Sequence, residues 1–417
     1  MKRRSFLAAL GAANLAAAMP RVAFAADNQL SVLLPPWGTL PKAMSDRFTK
    51  ETGIALQIQT MGWDDIRTKV VTSMVANTAP ADGVEFDWSW VGQFGAAGWF
   101  ESLDDLVPAE TVADIPTAKI FQYDGNLLAI PYNNDFRILI YNKAHLEQAG
   151  VAAAPKTPDE MLEAARAVKK AGIAKFPIGI PLSATEGTST AWYLMTMAFG
   201  GDLFDADFNP LFTDPNSGGY KALAFILTAL QEGLIDPAAT GLKDTQVQEL
   251  FQTGEITFDV AGWAGNLAVY SDPEKSKIAD QVAAGLMPST EGKSRTFGLP
   301  EAVGIPSIAA NKEAAATFIN WIAKPENEIE IYSSLGDLPP RLSVLEQLNS
   351  EGKLFAGDVL IEQSKTTEPL FKQGTPGWYP QFSSAVCSTI NAAAKGQYGV
   401  EEAIAEIASQ AKKAMDR

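Results

Sequence analysis

Apolar positions along this chain follow two periods. Short, nearly continuous apolar runs recur at residues 30–34 (LSVLL), 54–59 (IALQIQ), 84–88 (VEFDW), 136–141 (FRILIY), 176–182 (FPIGIPL) and 256–262 (ITFDVAG). Runs of this length, bounded by Pro, Gly, Asn or Asp, predict buried strands. Between them, apolar residues return every three or four positions, as helices require. Met44 and Phe48 form one such face, and Ile66, Val70, Val71, Met74 and Val75 a second. Met161, Leu162, Ala165 and Val168 form another, followed by Leu223, Ile226, Leu227 and Leu230. The last is Ile404, Ile407, Ala408, Ala411 and Met415. Strand, helix, strand, helix, strand over the first ninety residues predicts an α/β fold with a mainly parallel sheet.

Punctuation agrees with the periods. Pro41 opens a helix that Gly53 ends, and Asp64 is placed to cap the next. Thr157-Pro158-Asp159-Glu160 combines an N-cap, a proline at the first helical position and a capping-box glutamate. Gly172, Gly233 and Gly254 mark helix ends, and Lys412 and Lys413 suit the last turn of the final helix.

The first 25 residues differ from the rest. Lys2, Arg3 and Arg4 precede an apolar stretch at 6–19, and Ala23-Phe24-Ala25 has a small-x-small cleavage pattern. This predicts an export signal with a mature chain starting at Ala26. Arg3-Arg4-Ser5-Phe6-Leu7 adds a twin-arginine signature, with an ordinary secretory signal as the alternative. The expected location is therefore the periplasm.

Charge and cysteine usage narrow the function. The formal charge is −16, and losing Lys2, Arg3, Arg4 and Arg21 with the leader makes the mature chain more acidic. Nucleic-acid binding, which needs a basic footprint, is not expected. The single cysteine, Cys387, permits no internal disulfide and reads as a buried helix-face thiol. The single histidine, His145, reads as solvent-facing, and one His and one Cys leave little for a zinc site or a histidine triad. No metal or other cofactor is expected. P-loop, nucleophile-elbow and dinucleotide motifs are missing. Asp104-Asp105 are adjacent, whereas glycosidase carboxylates must flank one bond.

Candidate ligand residues gather where strands meet loops, the place where open α/β sheets bind ligands. Trp37, Trp88 and Trp263 follow predicted strands, and Trp63 precedes a helix. Asp64, Asp87 and Asn266 accompany them. An indole face beside carboxylates and amides suits a sugar, whose C–H face packs on the ring while its hydroxyls find polar partners. Core packing is the competing reading for each tryptophan. Trp99 and Trp321 read as core, and Trp90 stays open. Asp135 either binds ligand hydroxyls or pairs with Arg137. Arg341, after Leu338-Pro339-Pro340, offers a fork for ligand oxygens or a surface ion pair. Trp378 and Tyr379 lie on a Gly- and Pro-rich loop that displays or packs them.

Four stretches in a characteristic order complete the reading: 68–106, 125–172 containing PYNNDFRILIYN, 251–266 (FQTGEITFDVAGWAGN) and 308–341 ending in SSLGDLPPR. Through them the chain resembles the extracellular solute-binding proteins of ABC importers, in the carbohydrate-binding group that includes maltose-binding protein. The resemblance implies a two-lobed periplasmic binding protein fold with a ligand cleft between lobes joined by crossing segments. It places about 26–135 and a return segment near 306–338 in the first lobe, and about 136–305 with 339–417 in the second. Trp37, Trp63, Asp64, Asp87 and Trp88 would line the cleft from the first lobe, and Trp192, Trp263 and Asn266 from the second. Asp135 and Arg341 would lie near the crossings, with Trp378 and Tyr379 on the C-terminal loop. The implied function is capture of a sugar, oligosaccharide or sugar alcohol by lobe closure and delivery to membrane permease subunits, by a monomer that is not an enzyme. A polyamine or anionic sugar in the same fold, and an exported glycan-processing enzyme, are the alternatives.

Overall fold

The computed structural model describes residues 28–416. The expected export signal lies outside them. Two sheets organise the chain. The first has five strands in the order Ala55–Thr60, Gln29–Leu34, Gly83–Asp87, Glu301–Gly304, Ala129–Asn133. Gln29–Leu34 pairs in parallel with both its neighbours, whereas Glu301–Gly304 runs antiparallel to the strands beside it. The second sheet has four strands in the order Val282–Gly285, Leu139–Asn142, Phe258–Asp259, Ile178–Gly179.

Between the sheets the chain crosses at one place by three segments. The backbone amide of Asn134 donates to Leu338 O, that of Leu299 donates to Asp135 O, and Phe136 bridges Gly298. The return to the first sheet thus begins at Glu301, not near 306 as expected. Residues 301–304 escaped recognition because EAVG is short and only partly apolar; its pairing partners, not its own pattern, make it a strand.

Most predicted elements form where the pattern placed them. Strands at 176–182 and 256–262 shrink to Ile178–Gly179 and Phe258–Asp259. Asp64 is not the cap of its helix, which starts at Trp63 with Gly62 as N-cap. His145 is buried, not solvent-facing, with Nδ1 3.0 Å from Thr257 Oγ1. Cys387 is buried.

Thr157 caps the helix Pro158–Lys170 as predicted, its hydroxyl accepting from the Glu160 amide at 3.2 Å. The Glu160 carboxylate takes the Lys156 amide, one residue short of a capping-box bond. Thr157→Ala is expected to lower stability by about 1 kcal/mol, the usual worth of such a cap. Urea unfolding measures it, and a change under about 0.3 kcal/mol would show the cap to be redundant.

Close approach ties the first lobe to the C-terminal loop. A Cβ on Gly92, in the helix Val91–Ala96, would lie 1.9 Å from the carbonyl oxygen of Thr375. Only a glycine admits the two backbones at this distance. Ring contacts continue the junction: Trp88 packs on Tyr379 at 5.0 Å and on Phe297 at 6.1 Å.

Candidate functional site

The C-terminal ends of the first-sheet strands carry polar groups toward the crossings. Gly83–Asp87 ends in Asp87, whose carboxylate accepts from the Ser89 amide (2.8 Å) and from Trp63 Nε1 (3.1 Å). The Trp37 indole N–H donates to Glu301 Oε1, and Asn133 Nδ2 donates to Glu301 Oε2 at 3.1 Å. The Tyr132 hydroxyl donates to Glu85 Oε2 at 2.8 Å. Trp37 remains 43% exposed even though its N–H is held by Glu301. Trp63 is half-buried and packs on the fully buried Trp90 at 5.2 Å.

A pocket opens in the second lobe beside the crossing. Asp244, Gln248, Asp259, Gly262, Trp263 and Asn266 line it. Trp263 is 39% exposed, and the buried Arg137 guanidinium lies 5.4 Å from its ring centroid. Arg137 also grips both oxygens of Asp135, at 2.7 and 2.8 Å. The ion-pair alternative for Asp135 is therefore realised, with Arg137 Nε left buried and without an acceptor. Asn266 accepts from Gln248 Nε2 at 3.0 Å, and the Tyr270 hydroxyl donates to Asp259 Oδ2 at 2.6 Å.

The two sides face each other. Asp87 and Asp244 both act on the charge of Glu186, Asp244 acts on Asp135, and Asp135 acts on Asp87. Burial pushes Asp87 up to about 6, against the lowering effect of its hydrogen bonds from Ser89 and Trp63. Burial raises Asp259 to about 6 as well, and Asp337 to about 7. Glu85 and Glu301 rise well above the usual carboxylate range, first by burial and then through neighbouring acids.

These shifts have a sign. Unfolded carboxyls titrate near 4, so between about pH 4 and pH 7 these three groups, Asp87, Asp259 and Asp337, hold more protons in the folded chain than in the unfolded one. Stability should fall as pH rises through the folded values of Asp87, Asp259 and Asp337. The melting temperature is expected to be lower at pH 8 than at pH 5, with Asp337→Asn flattening the slope. A flat or rising profile over that range would contradict the assignment.

Several expected site residues lie elsewhere. Trp192 is fully buried in the helix Glu186–Ala198, and its Nε1 donates to Gly219 O at 2.8 Å. It is core, because that helix is buried on all sides, as its apolar composition allows. Arg341 is also away from the cleft: Nε donates to Asp114 Oδ2 at 2.8 Å and Nη1 to Ala323 O at 3.1 Å. Trp88 is 3% exposed and packs in the lobe junction. Trp378 packs edge-on against Phe204, Phe208, Phe371 and Phe382. Tyr379 is buried, with its hydroxyl donating to Glu186 Oε1. The loop packs these two aromatics and does not display them. Trp37, Trp63, Asp87, Asp135, Trp263 and Asn266 are the predicted residues brought together around the crossing.

Sequence reading missed Glu301, Asp244, Asp259, Gln248 and Glu186. Asp259 had a signal, as the polar residue at the end of a predicted strand beside Trp263. The others sit on helices or on an unrecognised strand, where a lone acid carries no pattern. Among the described residues no group of three or more His, Cys, Asp or Glu is arranged to hold a metal ion, and no helix is long and apolar enough to cross a membrane.

Two α/β lobes joined by crossing segments, with aromatic and polar groups converging between them, define a two-lobed ligand-binding protein of the periplasmic binding type. The chain belongs to the bacterial extracellular solute-binding protein family, whose model matches residues 37–329. It is a solute-binding protein of the ABC-transporter class. It is 24% identical over 370 residues to the "Probable amino-acid ABC transporter periplasmic-binding protein" of Sinorhizobium fredii, covering 83% of each chain. Among solved structures, a solute-binding protein of Agrobacterium radiobacter in complex with ribitol matches with TM-score 0.81 and 22% identity, covering 92% of this chain and 98% of that one. Maltose-bound MalE3 of T. maritima matches with TM-score 0.80 and 20% identity, covering 92% and 99%. At these identities the structures speak to the fold.

Proposed function

We propose that this chain captures a small polyhydroxylated solute, a sugar or sugar alcohol, between its lobes and hands it to the permease subunits of an importer. The observation that carries the reading is the Trp263 pocket. An exposed indole face is bordered by the carboxylates of Asp244 and Asp259 and the amides of Gln248 and Asn266. Such a set packs a C–H face and bonds hydroxyls at the same time. From the opposite lobe, Trp37 with Glu301 and Trp63 with Asp87 repeat the combination.

Ligand touching both sides stabilises the closed arrangement, so binding shifts the population toward closure. The protein acts by binding and does not turn its ligand over. Export through the leader at 1–25, residence in the periplasm and action as a monomer complete the proposal. An anionic sugar is disfavoured, because Arg137 already neutralises Asp135 and Arg341 lies outside the cleft.

Thermal denaturation with monosaccharides, disaccharides, sugar alcohols, sugar phosphates and sugar acids, each at about 1 mM, tests this. A ligand of about 1 μM dissociation constant stabilises by roughly 4 kcal/mol. A rise of a few degrees confined to related sugars or polyols is expected. A shift only with sugar phosphates or sugar acids would overturn the neutral-ligand reading.

A further inference from the structure

Trp37, which the polyol reading sets against the solute, has little of its own to hold it. It is 43% exposed and stacks on no other ring among the described residues. Its only side-chain hydrogen bond runs from the indole N–H to Glu301 Oε1. An aromatic platform binds well when its ring is already in place, because ordering it at the moment of binding subtracts from affinity. Whatever fixes Glu301 and the loop of Trp37 therefore decides how the ring is presented.

The strand beside Glu301 is irregular at that point. In the pairing of Ala129–Asn133 with Glu301–Gly304, Pro131 faces Ala302 and Asn133 faces Glu301, so Tyr132 is the extra residue of a β-bulge. A bulge gives up regular pairing and re-aims side chains. Here it brings Tyr132 and Asn133 to one carboxylate. Asn133 Nδ2 donates to Glu301 Oε2 at 3.1 Å, and the Tyr132 hydroxyl lies 3.5 Å from the same oxygen. That hydroxyl is pinned from behind, donating to the fully buried Glu85 at 2.8 Å. It also carries the loop of Trp37. A Cβ on Gly38 would lie 2.4 Å from the hydroxyl oxygen and 2.7 Å from the ring carbon that bears it, so only a glycine lets the loop rest there. The small cavity under the loop is walled by Leu34, Leu40, Val303, Phe318 and other apolar residues, and Tyr132 alone brings a polar side chain to it. One side chain thus touches both the residue after Trp37 and the acceptor of the Trp37 N–H.

We propose that Tyr132 is a positioning residue for solute binding: the bulge sets its hydroxyl, held by Glu85, between Gly38 and Glu301, and so locks the Trp37 ring in its binding orientation. This role rests on the polyol reading and adds to it a residue set behind the ring. Tyr132 is 6% exposed and acts through Trp37. Loss of its one oxygen atom is therefore felt at the indole without any solute, and as lost affinity when solute is present.

Two measurements on the purified protein test this. The first needs no solute. Tryptophan is replaced throughout by 5-fluorotryptophan, and the Trp37 fluorine resonance is assigned by its loss in Trp37→Phe. Tyr132→Phe, and Asn133→Ala at a half-buried position, are each expected to shift or broaden that resonance. The second is titration calorimetry with the tightest binder among D-glucitol, D-mannitol, galactitol, ribitol, D-glucose and maltose. Tyr132→Phe should weaken its binding by about three- to tenfold, the worth of one hydrogen bond. In a Trp37→Ala background the same substitution should change affinity by less than about 1.5-fold, because the route through the ring is gone. A Trp37 resonance unchanged in both variants would overturn the proposed role. An equal loss of affinity in the two backgrounds would do the same, by showing that Tyr132 acts through the fold at large. Wild-type affinity in Tyr132→Phe would overturn it and leave the polyol reading intact. Binding of none of these solutes to the wild-type chain would overturn the polyol reading, and the role of Tyr132 with it.

Discussion

Trp263→Ala is expected to weaken ligand binding by about 30-fold or more, corresponding to the 2 kcal/mol or greater typical of a central aromatic anchor. The ring is 39% exposed and lines the same pocket as Asp244. Its exposed area is what ligand would cover, so removal takes away the platform and little core packing. Folding should survive, because Ala264 and Leu267, not Trp263, carry the buried contacts of this segment. Trp263→Phe, which keeps a flat apolar face, should recover a large part of the loss. Titration calorimetry with a ligand found by thermal shift reads the first effect, and the unliganded melting temperature reads the second. An affinity within threefold of wild type would remove Trp263 from the site.

Arg137→Met is expected to destabilise the protein by about 3–5 kcal/mol at neutral pH, the cost of leaving a buried charge without its partner. Arg137 is 4% exposed, and the Asp135 side chain 17%. Burial already raises Asp135 above its ordinary value, while Arg137 pulls it down. Without the guanidinium, the carboxyl rises further. Its unfolded value stays near 4, so the protonated folded form is favoured at low pH and the deficit grows as pH rises. The variant should therefore lose more stability at pH 8 than at pH 5. Adding Asp135→Asn to Arg137→Met removes the unpaired charge and should restore a good part of the loss. Urea unfolding at the two pH values measures both. A deficit independent of pH would show that Arg137 acts through packing against Trp263 and not through Asp135.

The two variants divide the roles of one small region. Trp263 is open toward ligand, whereas Arg137 lies behind it and joins the ring to the first crossing. A ligand that packs on the indole thus touches a group already bonded to the segment between the lobes. Under the proposed closure mechanism this continuity would let occupancy bias the lobes, since the crossing is where any rotation of one lobe against the other must be absorbed.

Much of this architecture was legible in the chain itself. Apolar periodicity marked the strands around Val32, Phe86 and Ile140 and the stripes of Met161 and Ile404, because burial of a strand or a helix face demands those spacings locally. Thr157, Gly53 and Gly254 marked helix ends, because capping and positive φ are requirements of single residues. Trp263, Trp37 and Asp87 stood out as candidates because a strand end is a local feature with a general relation to ligand binding. Tertiary structure alone decided the rest. Glu301 joined the first sheet because two distant strands offered it partners. Trp192 became core because its helix is covered on every side, which no count of its own residues reveals. Arg341 turned away from the cleft because Asp114, 227 positions earlier, met its guanidinium. Asp244 and Asp259 came to share a pocket because the helix Asp244–Thr253 packs on the strand Phe258–Asp259. Periodicity records what each segment must bury, whereas contacts between segments are settled by packing the whole, and charge accumulates wherever that packing brings acids together.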